Sequence, residues 1–171
     1  MPVCNPSDLP RLIARRMRLM AFDVGTKTIG LAVSDPALGF AAPAGTIRRS
    51  RWREEAARIA EAVAYWGVGG FVVGLPLNMD DSEGPSAQRC RAFARNLLAV
   101  ADLPLAFWDE RLSTHAAEEA MRAAGAKAAR RARDIDSAAA TIILQDCLDA
   151  LRRAPPPPPI PPPTPDVAPR D

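Results

Sequence analysis

Several common chemistries need residues that this 171-residue chain barely has. It contains one histidine, His115, and one tyrosine. With that single imidazole in what reads as the first turn of a helix, no Ser–His–Asp constellation can be assembled. The three cysteines, Cys4, Cys90 and Cys147, are odd in number, far apart and never spaced as CxxC. That excludes a disulfide framework or a zinc ribbon and points to a reducing compartment. No apolar run approaches the ~20 residues needed to cross a bilayer. The arginines ahead of the first apolar run are not followed by the apolar core of a signal peptide. The expected setting is therefore cytoplasmic, with no membrane partner. Twenty-two Lys and Arg stand against twenty Asp and Glu, a formal charge of +2, so any basic surface has to be local. With aromatics at 5%, stacking on bases would be a minor mode of recognition.

Residues 17–153 alternate between a period of two and one of 3.6. Strands are expected at 18–23, 28–34, 44–48, in "GGFVVGLP" and in "LPLAFW", and helices at about 51–66, 85–100, 114–125 and 134–152. The order β-β-β-α-β-α-β-α-α predicts an α/β domain, a mixed five-stranded sheet with helices on both faces. Residues 1–16, with Pro2, Pro6 and Pro10, read as an N-terminal extension, a loose or short helical lead-in. Ten of the 18 prolines fall after residue 154, so 154–171 reads as a disordered tail of polyproline type. In open α/β sheets the functional crevice lies beyond the carboxyl ends of the strands. "FDVGTK", "GLPLNMDD" and "WDERLST" should gather there.

Those segments carry acids whose burial needs a reason, because a desolvated charge costs several kcal/mol unless something pairs with it. Asp23 ends the apolar run Leu19–Phe22 and precedes Gly25; it could bond its own turn or ligate a metal. Asp109 and Glu110 end the strand "LPLAFW". They could serve the dipole of the next helix, but Ser113, Thr114, Glu118 and Glu119 already supply that. Alternation sends the two acids to opposite faces, so at most one points into a shared site, and periodicity does not say which. Asp136 lies in line with Ala140, Ile143, Cys147 and Ala150 on the apolar face of its helix, while Thr141, Gln145, Asp149 and Arg152 lie opposite. Asp134 can already cap that helix, which favours a site role for Asp136. Three acids on three elements suit Mg²⁺ or Mn²⁺, hard cations that take carboxylate oxygens together with water and substrate phosphate. Such ions can activate water against a phosphodiester.

Four segments in order, "AFDVGTKTIGLAVSD", "VVGLPLNMDDSEGP", "WDERLST" and "DIDSAAATIIL", resemble the YqgF family, also called RuvX, over residues 17–152. The resemblance implies an RNase H-like fold and a role in maturing the 5′ end of pre-16S ribosomal RNA, or in resolving Holliday junctions in branched DNA. It implies metal-dependent cleavage of a phosphodiester by activated water. The family's three acidic positions fall on Asp23, on the Asp109–Glu110 pair with Glu110 the first choice, and on Asp136. Nucleic acid would be the partner, pre-rRNA or structured DNA, with ribosomal particles as its carrier. Many members have glycine where this chain has Asp81, which predicts a less tightly turned or more acidic loop.

The basic residues near these acids are candidate phosphate contacts: Lys27, Arg111, and the "ARRAR" segment with Arg130, Arg131 and Arg133. Asn78 is placed to reach sugar or phosphate. Two other readings compete. "DVGTKTIG" is similar to the first phosphate loop of the actin and sugar-kinase superfamily, but the second domain and second glycine-rich loop of that superfamily are missing. A nucleic-acid-binding module without turnover would carry the same acids as structural groups.

Overall fold

The computed structural model describes residues 3–112 and 134–153. In chain order the elements are β1 (Val3–Cys4), a 3₁₀ turn (Pro6–Asp8), α1 (Leu9–Leu12), β2 (Arg18–Val24), β3 (Thr28–Ser34), β4 (Ala41–Arg48), α2 (Trp52–Trp66), β5 (Val68–Leu75), α3 (Pro85–Val100), β6 (Leu105–Asp109), a second 3₁₀ turn (Glu110–Leu112) and α4 (Asp134–Arg153). The strands form one sheet in the order β1-β6-β5-β2-β3-β4. β2, β5, β6 and β1 run parallel, while β3 and β4 are antiparallel additions.

The mixed α/β sheet follows the sequence pattern, with a sixth strand added. β1 is two residues long, too short to show a period, and it pairs with β6 through Val3–Leu105 and Cys4–Ala106. The N-terminal segment is part of the core, since Leu9 is fully buried against α4. The third strand starts three residues earlier than its apolar pattern suggests. It tolerates Pro43 because β4 is an edge strand, where a missing N–H leaves no ladder bond unmade. The expected helix at 114–125, His115, the segment with Arg130, Arg131 and Arg133, and the tail 154–171 lie outside the described residues.

β5 is buried at every position, as a central parallel strand covered on both faces must be. Alternation then sorts the side chains into two cores. Met20, Phe22, Val24, Phe71, Val73 and Leu75 face α2 and α3. Leu19, Ala21, Ala32, Val72, Ala106 and Trp108 face α4, meeting Ala140, Ile143, Leu144, Cys147 and Leu148. α2 ends at Gly67, whose φ of +62° is the left-handed cap a glycine supplies without strain. α3 opens with Pro85, whose missing N–H would have had no partner in the first turn.

α4 runs against the direction of β2. Its later half is anchored at the amino end of β4, where the Ala41 N–H donates to Gln145 Oε1 at 2.9 Å and Gln145 Nε2 donates to the Gly39 carbonyl at 3.2 Å. Gln145 is thus a strap to the β3–β4 connection, where helical periodicity alone would have placed it in solvent. Ile143 packs over Gly74, near the carboxyl end of β5. Asp136 lies two turns earlier in α4, about 10 Å farther along the axis. The helix start therefore lies at the edge where β2, β5 and β6 end.

Candidate active site

Asp23 is the sixth residue of β2 and shares its face with Leu19 and Ala21, the face α4 covers. It is half-buried and sits two residues before Gly25, which closes the turn by donating to the Thr28 carbonyl at 2.9 Å. The conformation therefore leaves its carboxylate at the sheet edge.

β6 shows which of the paired acids joins it. Leu105 and Phe107 belong to the α2/α3 core, Ala106 and Trp108 to the α4 core. Asp109, next in alternation, goes to the α2/α3 face. There the Arg111 guanidinium grips it, with Nε 3.0 Å from Oδ1 and Nη2 2.7 Å from Oδ2, and the Arg111 backbone N–H donates to Oδ1 at 3.0 Å. These bonds hold the Asp109 carboxyl below its ordinary range. Glu110 begins the 3₁₀ turn, and its side chain returns over β5. A Cβ built on Gly74 would lie 2.5 Å from Glu110 Oε1 and 2.7 Å from Ile143 Cδ1. Gly74 is glycine because a carboxylate and an α4 side chain occupy the space a larger residue needs.

Burial, then the charge of Asp23, then that of Asp109 push the Glu110 carboxyl up to about 7. Cys90, on the inward face of α3, feels the same pair. Burial foremost, with Glu110 and Asp23 adding to it, raises its thiol to about 11, so it stays protonated. Glu110 and Asp23 are therefore electrostatic neighbours, whereas Asp109, the smaller of the two charge effects on Glu110, is paired with Arg111 on the other face. Asp136 belongs to the first turn of α4 at this same edge. Among the described residues no three His, Cys, Asp or Glu side chains form a metal-holding group. Those described side chains do not include that of Asp136.

The candidate contacts sort differently. Lys27 is exposed at the tip of the β2–β3 turn, and its carbonyl accepts the Arg49 N–H at 2.9 Å. Arg111 is committed within the protein. Besides Asp109 it donates to the Asn78 carbonyl at 2.8 Å and to Asp81 Oδ1 at 2.8 Å, pinning the 76–84 loop to the end of β6. Asn78 is exposed, with its amide Nδ2 donating to Ser82 Oγ at 2.9 Å. Asp81 adopts φ +65°, so the tight glycine-type turn is kept and its carboxylate is spent on Arg111. Two residues missed by sequence reasoning also build the site, Gly74 and the buried Glu55. Glu55 is 1% exposed, accepts Arg49 Nε at 2.9 Å and the Ser50 N–H at 2.8 Å, and so holds Arg49 where its Nη1 reaches the Gly25 carbonyl at 3.1 Å. The glycine run of β5 and a glutamate on the apolar side of a helix were the available signals.

Phe40 and Tyr65 are 73% and 80% exposed. Both lie at the opposite end of the sheet: Phe40 just before β4, and Tyr65 against Trp66, which stacks on Arg18 at the start of β2. No described helix is long and apolar enough to cross a membrane.

Comparison with known proteins agrees with this architecture. A protein of Chelativorans sp. (strain BNC1) named "Putative pre-16S rRNA nuclease" is 48% identical over 152 residues, covering 89% of this chain and 95% of that one. One of the same name from Rhodobacter capsulatus is 53% identical over 143 residues, covering 84% and 87%. Among solved structures, Thermus thermophilus RuvC in complex with a Holliday junction substrate aligns with a TM-score of 0.55 at 15% identity, over 80% of this chain and 94% of that one. That likeness is one of fold. The family model described as "RuvX: Holliday junction resolvase" matches residues 17–150, and the chain belongs to the RuvX family.

Proposed function

We propose that this chain is a divalent-metal-dependent nuclease that hydrolyses phosphodiester bonds, with the 5′ leader of pre-16S rRNA as its substrate in the cytoplasm, met free or on ribosomal particles. The observation that carries the proposal is the convergence of Asp23 and Glu110 on one sheet edge, with α4 bringing Asp136 to the same edge. Two carboxylates held together, one pushed up to about 7 by its burial and by its neighbour, form a hard-oxygen donor set. A divalent cation would stabilise that set in its ionised form. Asp23, Glu110 and Asp136 would hold Mg²⁺ or Mn²⁺, with Asp109 committed to Arg111. When bound, the metal would supply an activated water and charge stabilisation for the leaving oxygen.

The protein's own part is positional. Gly74 gives Glu110 room, and the Gly25 turn leaves Asp23 at the edge. Arg111 pins the 76–84 loop to the end of β6 and pairs with the Asp109 carboxylate. The relatives' name favours rRNA, whereas the family description favours a branched DNA junction. The test is cleavage of labelled pre-16S 5′-leader RNA and of a four-way DNA junction in parallel, in Mg²⁺ or Mn²⁺ and in EDTA, by the native chain and by Asp23→Asn. RNA cutting that EDTA and Asp23→Asn both abolish supports the proposal. Cutting of the junction alone transfers the activity to DNA. Binding without cutting, indifferent to EDTA and to the substitution, overturns the enzyme reading.

A further inference from the structure

A basic run that plays no part in the acid cluster lies beside it. Residues 46–55 read "TIRRSRWREE". Asp23 pairs with Gly30 and Gly30 with Thr46, so these three residues form one row across β2, β3 and β4. Cross-strand partners share a face, so Thr46 lies on the face of Asp23, and so does Arg48, two residues on. Arg48 pairs with Thr28, beside the turn that carries Lys27. Two strand spacings across and two residues along place its backbone on the order of 12 Å from that of Asp23. Its side chain is exposed, as are those of Lys27, Arg51 and Arg53.

The rim is built rather than incidental. Arg49, between Arg48 and Arg51, is not part of the exposed set. It is clamped by the buried Glu55 and donates to the Gly25 carbonyl, while its backbone N–H donates to the Lys27 carbonyl. This clamp fixes the β4–α2 corner, which carries Arg48, Arg51 and Arg53, against the β2–β3 turn that follows Asp23. Of the two acids in the run, Glu55 is consumed internally and Glu54 alone is exposed. Four exposed cations thus face solvent at one corner of the sheet edge whose carboxylates would by themselves repel a phosphate chain. Arg15 and Arg16, just ahead of β2, and Arg95, in the later half of α3 that leads back to the start of β6, are exposed arginines toward the opposite sheet end.

We infer that Lys27, Arg48, Arg51 and Arg53 form a phosphate-binding track for the sugar–phosphate backbone of the nucleic acid, leading the strand across the β3–β4 corner onto Asp23 and Glu110. The track rests on the nuclease reading and names the side from which the substrate backbone arrives. Its contacts are to phosphates, so they add affinity without reading sequence. Each neutralised phosphate contributes about 0.7 to 0.9 to the slope of log affinity against log salt.

The test measures equilibrium binding of leader RNA and of the four-way junction in EDTA, where cutting does not interfere, across a salt series. It compares the native chain, the variant Arg48→Gln/Arg51→Gln/Arg53→Gln, and the equal-charge control Arg15→Gln/Arg16→Gln/Arg95→Gln. The track variant is expected to lose about tenfold or more in affinity, with a salt slope shallower by roughly 2 to 3. Its melting temperature should be unchanged, because the substituted side chains are exposed. The substrate that shows the change, RNA or junction or both, is the one whose backbone uses the track. Native binding with an unaltered slope in the variant overturns the track and leaves the nuclease reading standing. An equal loss in the control also overturns it, because bulk charge would then explain the effect. A native chain that binds neither nucleic acid overturns both.

Discussion

The two faces of the sheet are built from different material. The face toward α2 and α3 is large and aromatic. Phe22 meets Phe71 edge-on at 5.7 Å and Phe93 at 5.4 Å, and Trp52 meets Phe93 at 5.9 Å. The face toward α4 mixes Leu19, Val72 and Trp108 with the small residues Ala21, Ala32, Ala106 and Gly74, and Ala140 meets them from the helix. Large side chains bury area and supply stability. Small ones let a helix come close and leave room at the edge for two carboxylates. One face mainly holds the protein together, while the other is thin enough to hold a site. The same division separates Asp109, spent on a structural ion pair, from Glu110, which shares its surroundings with Asp23.

Substitutions on each face sharpen this contrast. The largest effect should follow Asp23→Asn, which is expected to lower metal-dependent cleavage by about 10³-fold, the order seen when a group acting on the reacting charge is removed. Its thermal unfolding should match that of the native chain or improve, since a repulsive charge leaves the edge. Single-turnover cleavage beside a melting curve checks both. Next comes Phe71→Ala on the aromatic face, expected to cost about 3–5 kcal/mol of stability. Measured well below its lowered melting temperature, the folded fraction should cut at close to the native rate. Gly74→Ala should behave the other way. The added methyl strikes Glu110 and Ile143, so cleavage should fall by on the order of 10²-fold, as with misplaced catalytic geometry, for an overpacking cost of about 1–3 kcal/mol. If Phe71→Ala lost rate and Gly74→Ala kept it, the division between the faces would be wrong.

Two smaller effects concern the supports. Glu55→Gln leaves Arg49 without its charge partner. It should cost about 1–3 kcal/mol in denaturant unfolding, less than a fully buried pair would because Arg49 is 29% exposed. Asp81→Gly removes an ion pair whose acid is 83% exposed and also removes the strain of φ +65°. The two changes oppose each other, so stability should move by no more than about 1 kcal/mol in either direction.

Much of this site could be read before the fold was known, and particular residues show where legibility stopped. Asp23 stood out because a charge ended an apolar run, and the apolar line through Ala140, Ile143 and Cys147 marked the buried side of α4. The choice between Asp109 and Glu110 was out of reach of alternation, because Glu110 lies past the strand in a 3₁₀ turn. Its direction depends on the gap at Gly74, 36 positions away in the chain. Arg111 read as a phosphate contact from its charge and place, but its partners Asn78 and Asp81 come from a loop some 30 residues earlier. Only the tertiary pairing of β5 with β6 brings them together. β1 has two residues and so no period to detect. Where a residue's role was set by its own element, the sequence pattern conveyed it; where a distant partner set it, folding had to come first.

The most direct test compares Glu110→Gln with Asp109→Asn, reading metal-dependent cleavage of the leader RNA together with Mn²⁺ affinity by calorimetry. If Glu110 is the acid that works with Asp23, Glu110→Gln should abolish cleavage and weaken Mn²⁺ binding as Asp23→Asn does. Asp109→Asn should keep metal binding and most of the activity while lowering thermal stability through the loosened Arg111 clamp. Loss of cleavage and of Mn²⁺ binding in Asp109→Asn, with both retained in Glu110→Gln, would contradict the account at its centre.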